Sequence, residues 1–222
     1  MKIGIVGAGQ IGGTLAQRLV EIGHNVAISN SRGPETLFAL AAETGATPVF
    51  ARDALRGADL AILTIPLKNV ASLPRDLFQE VPGEVPVIDT CNYYPRERDG
   101  LIQSIEDGMP ESRWVEDQIG HSVIKAFNNI YASHIRKLGV ASGAIARVAL
   151  PVAGDDATTK AIVLKLVEDL GFDAIDAGGL DESWRQQPGT PVYGADLDSI
   201  GVRQALSRAS RQRSDSFRAA PV

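Results

Sequence analysis

The sequence feature that most constrains this chain is a glycine-rich turn between an apolar run and a helical pattern. The run KIGIVG at residues 2–7 has the composition of a buried strand, and GAGQIG at residues 7–12 supplies the turn. Apolar residues then recur at helical spacing from Gln10 to Ile22, and Gly23 ends the pattern. A strand, a G-x-G-x-x-G turn and a helix in this order are typical of the dinucleotide-binding βαβ unit.

Each glycine of this turn has its own physical role. Gly7 permits the tight turn, Gly9 lets the backbone approach a pyrophosphate, and Gly12 lets the helix pack closely on the strand. The N–H groups of the first helical turn then face the phosphate charge. A tight turn without a ligand is the alternative, but the strand before it and the helix after it favour a cofactor site. We expect the dinucleotide to be bound by Gly7, Gly9, Gln10, Ile11 and Gly12.

Farther along the chain, apolar runs alternate with helical patterns, which is typical of a parallel sheet covered by helices. The runs predict strands at 25–29, 47–50, 59–65, 85–89, 122–127, 146–152 and 172–176. Helices are predicted at 34–44, 52–57, 68–78, 155–170 and 196–211, with a long loop that contains some helix at 90–109 and a second loop at 178–191. The predicted fold class is therefore α/β, a Rossmann-type, doubly wound, mostly parallel sheet with a short C-terminal helical extension. We expect one domain over residues 1–211, elaborated from about residue 120, and a flexible tail over 212–222.

Composition narrows the classes of partner. The chain has 222 residues, 44% of them hydrophobic, which fits one domain with a proper core. A net charge of −5 argues against nucleic acid as a partner, because phosphate neutralisation needs surplus Lys and Arg. The single cysteine, Cys91, excludes an internal disulfide and fits a reducing compartment. Apolar runs are too short to cross a bilayer, so we expect a cytoplasmic protein without a membrane partner. The sequence leaves open whether the protein assembles as a homodimer.

The end of the second predicted strand bears on the choice of nucleotide. An NAD site usually places Asp or Glu about twenty residues after the glycine loop, but no acidic residue lies between Glu21 and Glu35. A missing carboxylate together with an arginine suits a 2′-phosphate, although a solvated loop arginine is the alternative. The residues expected at this position, for NADP(H), are Ser29, Asn30, Ser31 and Arg32.

Polar and turn-forming residues also follow the other predicted strands. In an open parallel sheet the ligand lies beyond the carboxyl ends of the strands. Cofactor-binding residues expected there are Thr64, Ile65, Pro66, Asn92, Asn128 and Ile130, with core packing as the alternative for Ile130. Cys91 has no histidine near it in sequence, so we do not expect a nucleophile. The sequence predicts no catalytic acid or base and no metal-ligand cluster.

Six segments together resemble one known family. They are MKIGIVGAGQIGGTLAQRL, ISNSR, AILTIP, KAFNNI, PVAGDD and DAGGLDES, and the resemblance runs from Met1 to about Pro191. This combination resembles the coenzyme F420-dependent NADP oxidoreductases. The resemblance implies that NADPH and a deazaflavin or flavin-like acceptor stack in one cleft. It implies pyrophosphate at residues 9–12, 2′-phosphate at Ser31 and Arg32, ribose at residues 64–66, and nicotinamide at Asn128 and Ile130.

The resemblance also implies a place for the loop at residues 183–191, near the mouth of the cleft and facing the nicotinamide. Trp184 would then offer a flat wall to a tricyclic ring, and Arg185 would meet an acidic acceptor tail. Capping of the core is the alternative for Trp184. We therefore take Trp184 and Arg185 as the expected substrate-binding residues.

Three functions remain to be compared. The first is an NADPH-dependent oxidoreductase that transfers hydride directly to a small-molecule acceptor, which needs alignment rather than an acid or base. The second is a small-substrate dehydrogenase of the imine or 2-hydroxyacid type. Such enzymes usually have a large helical C-terminal domain, whereas here one predicted helix follows the last predicted strand. The third is a non-catalytic NADP(H) sensor or regulatory module, which would bind NADPH without turnover.

Overall fold

A computed structural model of the chain describes residues 1–145 and 147–220. Its main feature is a six-stranded parallel sheet in the order β3-β2-β1-β4-β5-β6, beside a two-stranded parallel sheet of β7 and β8. The strands are β1 Lys2–Val6, β2 Asn25–Ser29, β3 Thr47–Pro48, β4 Leu60–Leu63, β5 Val87–Asp89, β6 Ile124–Lys125, β7 Ala149–Val152 and β8 Asp173–Asp176. This architecture confirms the predicted Rossmann-type α/β class.

Helices connect the strands and cover the sheet. They are α1 Gln10–Glu21, α2 Phe38–Thr44, α3 Ala51–Leu55, α4 Gln103–Glu106, α5 Glu111–Ile119, α6 Ala132–Lys137, α7 Ala157–Asp169 and α8 Ser199–Arg208. Short 3-10 segments occupy Pro34–Leu37, Leu67–Ser72, Leu180–Gln186 and Asp215–Phe217, and one π turn spans Pro95–Asp99. None of the helices in the described part of the chain has the length and apolar character needed to cross a membrane.

The central strands are apolar along their whole length because helices cover both faces of the sheet. Ile3 of β1 pairs with Val26 of β2 on one side and with Leu60 of β4 on the other. From β1 the chain proceeds to β2 and β3 on one side of the sheet, and it then crosses over to β4, β5 and β6 on the other side. The strand order therefore reverses direction at β1. In this fold, the point of reversal opens a crevice at the carboxyl ends of the strands, where dinucleotides bind.

The second sheet shares a core with the first. One cluster of buried side chains joins Ile5 of β1 and Leu15 of α1 to Val152 of β7 and Val163 of α7. An antiparallel bridge between Lys125 and Ala153 also connects the two sheets at their edges. The C-terminal strands thus extend the six-stranded sheet by packing and not by continuing its hydrogen-bond ladder.

Several predicted elements differ from the observed ones. The helix predicted at 68–78 is wrong, because only a 3-10 segment forms there and Leu73 is extended, as expected for a residue before Pro74. Helices α5 and α6 lie where no helix was predicted. The strand predicted at 146–152 begins at Ala149, and residue 146 lies outside the described residues.

The segment predicted to be a flexible tail makes specific contacts. Arg213 Nη2 lies 2.6 Å from Glu111 Oε1, and the Ala219 N–H donates to Glu106 Oε1 at 2.9 Å. Arg96 Nε donates to the Arg218 carbonyl at 3.0 Å. Residues 212–220 therefore form a C-terminal strap over residues 93–111, and residues 221–222 lie outside the described part.

Candidate functional site

The glycine loop has the geometry that its sequence predicts. Gly7 has φ +117°, and a Cβ there would lie 2.1 Å from the Thr64 carbonyl oxygen. A Cβ at Gly12 would lie 2.1 Å from the Gly7 carbonyl oxygen, so helix and loop touch directly. At Gly9 a Cβ would meet nothing within 4 Å. Two of the glycines therefore close the turn, and the third leaves open space above the backbone.

Helix α1 begins at this open space. Its N-cap is Gly9, no side chain caps its first N–H groups, and its first turn holds no acidic residue. Uncapped N–H groups at the start of a helix carry partial positive charge and need acceptors. This end of α1 is therefore suited to phosphate oxygens.

The end of β2 forms a tight turn. The buried Ser29 hydroxyl donates to the Ile5 carbonyl at 3.0 Å, so it is engaged inside the sheet. Asn30 accepts from the Arg32 N–H at 3.0 Å and donates to Thr36 Oγ1 at 2.9 Å. The side chains of Ser31 and Arg32 are exposed. Of the four residues predicted here, only Ser31 and Arg32 present free side chains toward solvent.

A cleft of about 400 Å³ opens at the carboxyl ends of β1, β4, β5 and β6. Nine of the predicted cofactor residues line it, namely Gly9, Gln10, Ile11, Thr64, Ile65, Pro66, Asn92, Asn128 and Ile130. The other lining residues are Thr90, Cys91, Tyr94, Arg98, Phe127, Tyr131, Ala132 and Tyr193. Gly7 and Gly12 do not line the cleft, and neither do Ser29, Asn30, Ser31 and Arg32. The structure thus brings most of the predicted residues together in one place.

The amides of this cleft form a network. The Asn128 side chain donates to Asn92 Oδ1 at 3.0 Å and to the Gln186 carbonyl at 2.7 Å, and it accepts from Gln186 Nε2 at 2.9 Å. Asn92 donates back to the Asn128 carbonyl at 2.8 Å. Both N–H groups of the Asn128 amide are therefore used to tie β5, β6 and the C-terminal loop together.

Phe127 holds an unusual backbone conformation beside this network. It is fully buried and has φ +58°, the one positive φ among the non-glycine residues that the structure describes. Such a conformation costs about 1–3 kcal/mol and persists only where the surroundings enforce it. It turns the chain sharply after β6, which brings Asn128 and Ile130 to the cleft.

Three side chains that the sequence did not single out form the far wall of the cleft. The hydroxyls of Tyr94 and Tyr193 are hydrogen-bonded to each other, and the Arg98 guanidinium lies over the Tyr94 ring, 5.0 Å from its centroid. Burial raises the pKa of both tyrosines, so both stay protonated at neutral pH. Tyr94 and Arg98 lie shortly after β5, so their position near a strand end was a usable signal. Tyr193 offered no such signal.

A buried ion pair lies beneath the residues that line the cleft. Lys125 Nζ lies 3.1 Å from Asp89 Oδ2 and also donates to the Cys91 carbonyl, and both charged side chains are fully buried. Ser112 donates to the same Asp89 oxygen at 2.7 Å. Burial raises the pKa of the Cys91 thiol well above its usual value. Cys91 is therefore a neutral thiol in the floor, as expected for a residue that is not a nucleophile.

Trp184 and Arg185 do not line this cleft, which corrects the expected placement. Arg185 lies 4.6 Å and Arg211 5.0 Å from the centroid of the Trp184 ring. Arg185 also pairs with Glu182 at 2.5 Å, and Trp184 lines a separate cavity beneath the C-terminal strap. The expectation failed because the same loop sends Gln186 toward the cleft and Trp184 away from it.

The strand order, the glycine loop and the cleft at the switch point define a Rossmann-type dinucleotide-binding α/β protein. Residues 2–93 match the family described as NADP oxidoreductase, coenzyme F420-dependent, which confirms the resemblance seen in the sequence. The matched part of the chain contains the glycine loop and strands β1 to β5, so this part is similar to a family of NADP-dependent oxidoreductases.

Individual proteins are also similar to this chain. The Sinorhizobium meliloti protein SMa0349 is 29% identical, with a TM-score of 0.76 over 90% of this chain and 96% of its own. An Arthrobacter sp. FB24 protein, provisionally named an F420-dependent NADP reductase, is 25% identical, with a TM-score of 0.67 over 81% of this chain and 86% of its own. The Escherichia coli K12 protein YjhV is 39% identical over 69 residues, which are 31% of this chain and 50% of YjhV. The match thus spans half the length of that curated relative.

More distant structures share the fold alone. An imine reductase from Pseudomonas sp. is 17% identical, with a TM-score of 0.51 over 80% of this chain and 55% of its own. At this identity the likeness carries no information on substrate.

Proposed function

We propose that the chain is an NADPH-dependent oxidoreductase that transfers hydride directly between the nicotinamide and a planar deazaflavin or flavin-like acceptor. Residues 1–211 would act as one nucleotide-binding unit. The observation that carries this proposal is the cleft that runs from the glycine loop across the ends of β4, β5 and β6.

The path of the nucleotide follows from the strand order. A pyrophosphate at the start of α1 would leave the adenosine half over β2 and the nicotinamide half over β4. Ser31 and Arg32 then lie beside the adenosine ribose, and residues 64–66 beside the nicotinamide ribose. Ile130 and Asn92 would lie against the nicotinamide, with Asn128 holding the wall behind it through its amide network.

The preference for NADP(H) rests on the turn after β2. Within residues 1–145 and 147–220, no carboxylate forms an ion pair with Arg32. An exposed guanidinium without a carboxylate partner is available to a 2′-phosphate, to which it can donate two parallel hydrogen bonds. The Ser31 hydroxyl would add a third donor.

Direct hydride transfer is favoured by the composition of the cleft. None of the described residues that line it is a histidine, a lysine, an aspartate or a glutamate. A reaction that needs only proximity and alignment fits such a lining. Reduction of an imine or a 2-oxoacid also needs a proton donor, for which this lining offers the phenols of Tyr94 and Tyr193.

The test is oxidation of NADPH by a panel of acceptors. Coenzyme F420, riboflavin, a quinone, a cyclic imine and a 2-oxoacid are each mixed anaerobically with the protein and with NADPH that carries deuterium at C4. We expect turnover with the planar ring acceptors, and a kinetic isotope effect that depends on which C4 hydrogen is labelled. Turnover restricted to the imine or the 2-oxoacid would favour the small-substrate dehydrogenase. NADPH binding by calorimetry without any turnover would favour the sensor.

A further inference from the structure

We infer that Arg98, Tyr94 and Tyr193 form the acceptor subsite, and that they select acceptors whose reduced ring is an anion. This inference rests on the proposed function and deepens it. It also replaces Trp184 and Arg185 as the expected substrate-binding residues, since those lie outside the cleft.

The position of the subsite follows from the topology. If the nicotinamide lies over β4, the remainder of the same cleft lies over the ends of β5 and β6. Tyr94 and Arg98 belong to the segment that follows β5, and Tyr193 belongs to the segment that precedes α8. A second ring stacked on the nicotinamide would therefore meet these three side chains.

Charge gives the subsite its selectivity. Among the described residues that line the cleft, Arg98 is the one cation, and no carboxylate lines it. Asp99, whose side chain is fully buried, anchors Arg98 from behind at 2.9 Å. Arg98 Nη2 also donates to the Asn92 carbonyl at 2.6 Å, while Nη1 forms no hydrogen bond with the described residues. Arg98 is thus held in place, and its Nη1 N–H groups are available to donate to a ligand.

The tyrosine pair supplies a second donor. When two protonated phenols are hydrogen-bonded to each other, one proton is shared and the other O–H is free to donate. Tyr94 is fixed because its N–H donates to Asp99 Oδ2 at 2.7 Å and Arg98 covers its ring. One hydroxyl of the Tyr94–Tyr193 pair is therefore ready to meet an acceptor oxygen or nitrogen.

The chemistry explains why such donors would matter. Hydride transfer breaks the C4–H bond of NADPH, gives NADP⁺ and forms a new C–H or N–H bond on the acceptor. A neutral isoalloxazine ring that gains two electrons and one proton becomes an anion, and solvent supplies its second proton later. Donors already aimed at the developing charge stabilise that transition state. A cationic pyridinium acceptor instead becomes neutral, so Arg98 would not assist its reduction.

The experiment compares two acceptors, riboflavin and the 1-benzylnicotinamide cation, with Arg98→Met, Arg98→Lys and Arg96→Met. Arg96 lies in the same π turn, is exposed and does not line the cleft, so Arg96→Met is the matched control. We expect Arg98→Met to lower the single-turnover rate with riboflavin roughly 10–100-fold, the range for loss of a charged hydrogen bond. The rate with 1-benzylnicotinamide should be unchanged or higher. Arg98→Lys should recover part of the riboflavin rate.

Other outcomes have distinct meanings. Equal losses with both acceptors, or no loss with either, would overturn the subsite. No turnover by the unaltered protein with any acceptor of the panel would instead overturn the proposed function. The NADPH affinity of every variant is measured by calorimetry, and a loss confined to that affinity also contradicts the inference.

A further variant tests the subsite if Arg98→Met fails to fold. In that case the double variant Tyr94→Phe with Tyr193→Phe carries the test, because it removes both hydroxyls of the pair and keeps both rings. We expect a loss of about 5–10-fold with riboflavin alone, equivalent to one neutral hydrogen bond. An unchanged riboflavin rate would count against the tyrosine pair.

Discussion

The two halves of the cleft are built in different ways. The proposed nucleotide half, at the ends of β1 and β4, consists of short turns whose contacts are mostly local, such as Gly13 N–H to the Gly9 carbonyl. The proposed acceptor half, at the ends of β5 and β6, is held by contacts between distant segments. Tyr94 and Tyr193 are 99 residues apart, and Asn128 and Gln186 are 58 apart.

This difference teaches which changes should affect binding and which should affect folding. A substitution in the nucleotide half changes a surface that local geometry already fixes. A substitution beneath the acceptor half removes contacts that join separate parts of the chain. Variants in each half distinguish the two effects.

The largest effect is expected beneath the acceptor half, for Lys125→Met. Removal of one partner from a buried ion pair leaves the charge of Asp89 uncompensated, which costs about 3–5 kcal/mol of unfolding free energy. Urea unfolding followed by circular dichroism measures the change. The control is Lys165→Met, since Lys165 is mostly exposed and its pair with Asp169 should contribute less than about 1 kcal/mol. Similar losses for both variants would contradict the assignment of a buried pair.

The next effect separates two glycines of the loop. Gly9→Val fills the open space above the backbone, so we expect NADPH affinity to fall by at least about 100-fold, or 2.7 kcal/mol, with an unchanged melting temperature. Gly12→Ala drives a Cβ into the Gly7 carbonyl and should lower both affinity and melting temperature. Calorimetry and thermal unfolding check the pair. Undiminished affinity in Gly9→Val would show that the loop is not the nucleotide site.

A smaller effect is expected at the turn after β2. Arg32→Ala should weaken NADPH binding by about 10–100-fold, since a charge-assisted hydrogen bond contributes about 1.5–3 kcal/mol, and NADH binding should not change. The control is Arg56→Ala, because Arg56 is exposed and its carbonyl accepts from Lys2 at the amino end of β1, away from the carboxyl ends of the strands. Equal losses for both nucleotides in Arg32→Ala would remove the 2′-phosphate from this turn.

The smallest effect concerns the thiol in the floor of the acceptor half. Burial raises the pKa of Cys91, so the thiol stays protonated through the pH range in which an ordinary cysteine ionises. Iodoacetamide should therefore alkylate the folded protein far more slowly than the protein in denaturant at the same pH. Mass spectrometry follows the reaction. Equal rates in the two states would mean that Cys91 is accessible and ionised.

The contrast between the halves also explains what the sequence could predict. The bounds of β2, and the start of α1 at Gln10, follow from local apolar periodicity and from glycine, and both were confirmed. Ser31 and Arg32 were found from their distance to the loop, and their binding role stays a prediction. Gln186 and Tyr193 were missed because their positions depend on how the C-terminal segment packs. Nothing in their neighbours along the chain specifies that packing.

The same reasoning accounts for the wrong placement of Trp184. A tryptophan in a polar loop indicates that its ring covers either a ligand or part of the protein, but the composition of the loop does not distinguish the two. In the structure the ring lies between two arginines and beside the C-terminal strap. Only the fold distinguishes this surface from the cleft.

The C-terminal strap has a practical consequence for anyone who shortens this chain to obtain a minimal nucleotide-binding unit. Its sequence invites removal after residue 211, yet Arg213 neutralises Glu111, whose carboxylate is fully buried and also accepts from the Tyr93 N–H. Burial already raises the pKa of Glu111, and without Arg213 that carboxylate would take up a proton or draw in water. The backbone next to Tyr94 would then lose its support. A trimmed protein should therefore retain residues 212–220, and an affinity tag belongs beyond them.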